Sequence, residues 1–110
     1  MSRETNKLLF DVHNAILKIE QYLAGSKKFE DYQNNLMLQQ AVERNIEIIG
    51  EAVNNLLKIN PDLPLSNARK IVNTRNKLIH GYDDIENSEI WAIIITHMPI
   101  LKQEVEKLLK

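Results

Sequence analysis

Cysteine is absent from this 110-residue chain, which excludes a disulfide framework and any thiolate metal site. Glycine and proline number three each, and aromatic residues make up only 5% of the chain. The sequence therefore lacks the dense turn signals of a β-sandwich or barrel. Charge of one sign is also lacking. The net charge is −1, so a surface that is basic all over, as in a general nucleic-acid binder, is not indicated. Long hydrophobic runs are missing too. The longest, "IWAIII" at 90–95, is far too short to span a bilayer. "MSRETNKLL" contains no apolar h-region, so no secretory signal is expected. The lack of cysteine fits a reducing compartment, and the expected location is cytoplasmic with no membrane contact.

What is present is helical periodicity in one domain spanning residues 1–110. Leu9, Val12, Ile16, Ile19 and Leu23 recur at spacings of three and four. They mark a first helix over 3–24, with Gly25 at the position after its end. Residues 26–32 read as a short helical turn. Val42, Ile46, Ile49, Val53 and Leu56 repeat the pattern in a second long helix over 35–59, which Pro61 and Pro64 terminate. A third helix starts at Ser66 or Asn67, both good N-caps, and stops at Gly81. The fourth runs from 86 to 109, with Asp84 or Asn87 as its cap. Pro99 predicts a kink or break near His97. No segment alternates as a strand does. The predicted fold is all-α: an antiparallel four-helix bundle with an extra short helical turn, dimerising through helices.

The dimer follows from two observations. The fourth helix carries Ile90, Trp91, Ile93, Ile94, Ile95, Met98, Ile100 and Leu101, more apolar circumference than a peripheral helix buries. Either a second copy covers the excess or this helix is central. Trp91 reads as an anchor at an interface or in the core.

Charge is distributed unevenly. From Leu65 to Tyr82 there are four basic residues, Arg69, Lys70, Arg75 and Lys77, and no acid; from Asp83 to Glu89 there are four acids and no base. The pattern suits a C-terminus followed by an N-terminus, and it equally suits a local anion site. Within it, "RNKLIHGY" at 75–82 places an arginine five residues before a histidine. Five residues are about 140° of rotation and about 7.5 Å of rise on a helix, so the two side chains converge only if the helix ends near His80. Gly81 permits that. An arginine fork donates two hydrogen bonds to a phosphate without losing its charge, and histidine moves protons near neutrality. Those are the parts of metal-independent RNA cleavage: a base takes the 2′-hydroxyl proton, a cation stabilises the phosphorane, and an acid protonates the 5′-oxygen. One histidine does not serve as base and acid in a single step. Two copies of His80 and Arg75 around one cleft would, which is the second reason to expect a dimer.

"RNKLIHGY" resembles the R-x4-6-H signature of HEPN domains, in the R-x4-H-x-Y form of the HepT-like group. Asn76 matches the polar residue after the arginine. "AVERNIEIIGEAV" (41–53) is similar to that group's second helix, and "SEIWAIIITHMPILKQEV" (88–105) to its last. The resemblance covers nearly the whole chain. It implies a homodimeric ribonuclease toxin of a type VII-like pair, with RNA (tRNA among the candidates) as substrate and an MntA-like minimal nucleotidyltransferase as antitoxin. By the same resemblance Arg75 and His80 are catalytic, Asn76 supports the site, and Tyr82 accepts AMP from the antitoxin. Arg69, Lys70 and Lys77 are the candidate contacts to RNA phosphates. No metal or cofactor is expected. The competing reading is a non-catalytic helical module that dimerises and supports a separate nucleotidyltransferase.

His13 and His97 lack a ligand partner three or four residues on and read as structural or surface residues. Glu43, Glu47 and Glu51 form a four-spaced acidic row, read as a solvated face or as partners of the basic third helix, with Glu51 near the cleft as a further option.

Overall fold

Ser2 starts the first helix. Its hydroxyl accepts the backbone N–H of Thr5 at 3.1 Å, satisfying one of the orphan donors of the first turn. A computed structural model describes residues 2–81 and 85–109, and Tyr82 and Asp84 lie outside them. The helices are α1 (Arg3–Leu23), α2 (Phe29–Gln33), α3 (Leu36–Ile59), α4 (Ala68–Ile79), α5 (Asn87–Ala92) and α6 (Met98–Leu109). A π-helical turn, Ile93–His97, joins the last two. No strand occurs among the described residues.

The ends of the helices show where local sequence decides and where it does not. α1 stops as expected before Gly25, but Ala24 is also left-handed (φ 51°). Asn35 caps α3 through its side chain, accepting from Leu38 N–H at 3.0 Å. The expected Ser or Asn cap of α4 takes another form. Asn67 is the N-cap residue with ψ 18° and makes no side-chain cap bond. It is not extended as a capping residue normally is. Instead Glu104 of α6 accepts the Ser66 N–H at 3.0 Å, placing a carboxylate where the helix dipole favours one. At α5 the N-cap is Glu86, and Asn87 is the first helical residue. The Asn87 amide donates to Gln33 Oε1 at 2.9 Å and ties α5 to the end of α2.

Pro99 produces a π-turn rather than a break. Proline cannot donate, and its ring crowds the carbonyl four residues earlier, that of Ile95. The Met98 N–H bonds to the Ile93 carbonyl, five residues back, and this wider turn gives the ring room while the helix continues.

α1 packs chiefly on α3, α3 on α4, and α6 on α1. The pairs Glu20–Lys102 at 3.1 Å and His13–Glu106 at 3.0 Å show that α1 and α6 run antiparallel. Leu9, Val12, Ile16 and Ile19 meet Val42, Ile46, Ile49, Val53 and Leu56 in the core, joined by Ile71, Ile90, Ile93, Leu101 and Val105. Most of the surplus on the last helix is therefore absorbed: Ile90, Ile93, Ile94, Met98 and Leu101 are buried, leaving Ile95 (38% exposed) and Ile100 (42%) outward. The helix buries one face against α1 and the shared core, and the apolar excess that motivated a partner shrinks to two isoleucines. Trp91 packs within the fold, edge-on to Phe29 at 6.0 Å and tilted against Tyr32 at 5.7 Å. No helix among the described residues is long and apolar enough to cross a membrane.

Candidate functional site

The end of α4 follows from its own residues. His80 is the C-cap residue (φ −88°, ψ 2°), with its N–H bonded to the Asn76 carbonyl at 3.1 Å. Gly81 follows at φ +66°, a left-handed position that glycine occupies without a Cβ penalty. The His80 residue is exposed, whereas Arg75 and Asn76 are half-buried.

Arg75 and His80 are five apart on the helix, as the sequence requires, and point about 140° apart. Asn76 bridges that angle. The Arg75 Nη1 donates to Asn76 Oδ1 at 2.9 Å. Asn76 lies about 100° from Arg75 and only about 40° from His80, so the bond draws the guanidinium toward the face that carries the histidine. This gives Asn76 a physical task that spacing alone did not supply.

No second partner of the guanidinium occurs among the described residues. Arg75 makes no ion pair among the described residues. Its Nε is buried with no hydrogen-bond partner among them. The acidic row of α3 does not neutralise it: Glu47 approaches Arg44 at 3.8 Å, and Glu51 borders a cleft against Leu8 and Asp11 of α1 rather than the motif. Of the two readings of the row, pairing with α4 does not occur among the described residues. An arginine fork that is desolvated in part and faces no carboxylate among the described residues could receive an anion.

The basic residues occupy two adjoining strips. Arg69 is exposed and, seven residues before Asn76, shares its face. Lys70 and Lys77 line the neighbouring flank, a cleft of about 330 Å³ that also includes Asn73, Thr74, Glu89, Ala92 and Ile93. Lys77 is partly committed there, 3.6 Å from Glu89. His13 is held by Glu106, and His97 sits in the π-turn. Among the described residues no three histidine or carboxylate side chains converge. Tyr82, the candidate AMP acceptor, is outside the described residues.

One residue at the site escaped the reading from sequence. Gly50 is buried in the middle of α3. A Cβ there would overlap Arg75 Cβ, lie 2.7 Å from Arg75 Cγ and 3.3 Å from the Ile71 carbonyl. The available signal was a glycine inside an otherwise apolar-periodic helix, which usually marks a close approach.

Residues 12–108 match the HepT-like ribonuclease family. The chain belongs to that family. It is 34% identical, over the full length of both chains, to a Thermococcus cleftensis protein named "Probable ribonuclease HepT". It is also 36% identical to a Caldanaerobacter subterraneus protein, over 74% of each chain. A Methanocaldococcus jannaschii protein is 29% identical over 98% of this chain and 89% of its own. Both of the latter bear the name "Putative RNase". No solved structure matches.

Glu43, one turn before Glu47 on α3, has its pKa raised by partial burial and then by the Glu47 charge. Burial, and the Glu43 charge after it, push the Tyr32 hydroxyl upward as well. A carboxyl whose folded pKa exceeds its unfolded value binds its proton more tightly when folded. Its stability contribution is complete below the unfolded value of about 4.5 and is lost as pH rises through the folded value. Glu43→Gln is therefore expected to raise the melting temperature at pH 7–8, with the difference from wild type vanishing near pH 4. Thermal unfolding followed by circular dichroism across that range checks both the sign and the pH window.

Proposed function

We propose that this HepT-like chain is a metal-independent RNA endonuclease, and that it acts as the toxin of a type VII-like HEPN/MNT pair. The observation that carries the reading is Arg75: a half-buried side chain whose guanidinium is bonded to Asn76, with no carboxylate partner and no acceptor for Nε among the described residues. In the reaction His80 of one copy takes the proton of a ribose 2′-hydroxyl. O2′ forms a bond to the adjacent phosphorus, and Arg75 stabilises the charge on the equatorial oxygens. The P–O5′ bond breaks as His80 of a second copy protonates the leaving oxygen. A 2′,3′-cyclic phosphate and a 5′-hydroxyl result. With the apolar argument reduced, this need for separate base and acid is the main support for a homodimer. Arg69, Lys70 and Lys77 supply cations for flanking RNA phosphates, whose contribution falls with salt.

The resemblance extends the reading to regulation. An MntA-like nucleotidyltransferase transfers AMP from ATP to Tyr82, two residues beyond His80: the tyrosine oxygen loses its proton and bonds to the α-phosphorus, pyrophosphate leaves, and the added phosphodiester competes with RNA for Arg75.

The test incubates unmodified protein with RNA in the presence and absence of EDTA. Cleavage is expected in both, with cyclic-phosphate ends, and RNA carrying a 2′-deoxy nucleotide at the cut is expected to resist. Cleavage abolished by EDTA overturns the mechanism. Intact mass should rise by AMP units after co-expression with the nucleotidyltransferase, and Tyr82→Phe should abolish the rise.

A further inference from the structure

A glycine inside a helix costs about 0.5–1 kcal/mol relative to alanine. α3 nevertheless runs unbroken from Leu36 to Ile59 with Gly50 buried at its middle. The space that a side chain at position 50 would fill is taken by one residue above all others: Cβ and Cγ of Arg75 lie where a methyl group would stand, and the Ile71 carbonyl is next. The stem of Arg75 therefore rests directly on the backbone of α3.

From this we infer that Gly50 is a positioning residue for the reaction, acting through Arg75. The proposal rests on the reading of Arg75 as the phosphate-stabilising cation. Stem and head of this side chain are fixed by different partners. Gly50 sets how deeply the stem seats between α3 and α4. Asn76 takes one end of the fork at 2.9 Å. Between them Nε is buried and left without an acceptor. A methyl at position 50 would lift the stem away from α3, expose Nε and shift the fork relative to Asn76 and His80. A displacement of about 1 Å at a charge-stabilising group can cost about 10²-fold in rate.

The test is a double-mutant cycle on RNA cleavage. Gly50→Ala is expected to lower kcat by about 10²-fold while KM changes less than about threefold. In an Arg75→Gly background, which removes the overlapping Cβ and Cγ together with the guanidinium, the same substitution should cost less than about threefold. Equal losses in both backgrounds, or no loss in the first, overturn the proposal. A second readout is independent of activity. Hydrogen exchange at Arg75 Nε–H, followed by NMR at acidic pH, should be slow in the wild type and at least about tenfold faster in Gly50→Ala. This separates the two readings: faster exchange in a chain whose wild type cleaves no RNA would sink the ribonuclease and leave the positioning intact, and unchanged exchange sinks the positioning. If Gly50→Ala alone fails to fold, Gly50→Ala combined with Arg75→Gly removes the overlapping atoms. Recovery of folding by the pair assigns the conflict to Arg75; failure of the pair assigns it to the backbone and overturns the proposal.

Discussion

His80→Ala is expected to reduce RNA cleavage by about 10²–10⁴-fold, the usual worth of a positioned acid or base, while leaving the fold in place. The second half of that expectation follows from geometry. His80 is an exposed C-cap residue whose backbone, not its ring, closes the last turn of α4 through the Asn76 carbonyl. Alanine preserves that bond, and Gly81 still supplies the left-handed exit at φ +66°. Circular dichroism should therefore show the helical fold retained as cleavage collapses. In a dimer with a shared site the loss removes base and acid together, so a mixed dimer with one substituted chain should be impaired as well. Protein confirmed as unmodified by mass is needed for each comparison, since AMP on Tyr82 would silence the wild type too. Equal cleavage by wild type and His80→Ala, or none by either, would instead favour a helical dimerisation module that supports a separate nucleotidyltransferase.

The helices were legible because their apolar stripes are local. Leu9 to Ile19 and Val42 to Leu56 carry the helical period in plain view, and burial follows the stripes. The end of α4 was legible for the same reason, since His80 and Gly81 are adjacent. What was not legible depends on residues distant in the chain. Asn67 is the N-cap residue of α4, but its side chain makes no cap bond, and the carboxylate beside that end comes from Glu104, 38 residues from Ser66. The apolar residues of the last helix overstated its free surface, because periodicity counts apolar positions and does not reveal how many neighbours surround them. Pro99 announced a disturbance, but whether a helix kinks or widens depends on keeping Ile93, Ile94, Met98 and Leu101 in the core together. Within the site, the motif named Arg75 and His80 but gave no orientation. That depends on the Asn76 amide and on the seat at Gly50, a contact between two helices that only packing brings together.

Leu101→Ala is expected to be the largest single loss of stability, about 2–5 kcal/mol. Leu101 is 0% exposed on α6. It belongs to the same core as Ile16, Ile46 and Ile94. Truncation removes buried methyl groups and leaves a cavity that helices held on several sides cannot collapse to fill. A domain of this size has a total of about 5–15 kcal/mol, so the variant forfeits a large share and its melting temperature should fall by roughly 10–20 °C. The same experiment separates core from interface. Loss at Leu101 should be independent of protein concentration, because the contacts lie within one chain. Ile95→Ala and Ile100→Ala remove side chains that are 38% and 42% exposed, and for a lone chain each should change stability by about 0.5 kcal/mol or less. Should a second copy cover those two isoleucines, their cost would grow with dilution-sensitive stability, since dimer stability depends on concentration. Urea unfolding at two concentrations at least tenfold apart reads all three variants. A Leu101→Ala cost below about 1 kcal/mol would contradict the burial of the inner face of α6 in the core. With that burial would go the explanation of why the last helix is apolar over so much of its circumference.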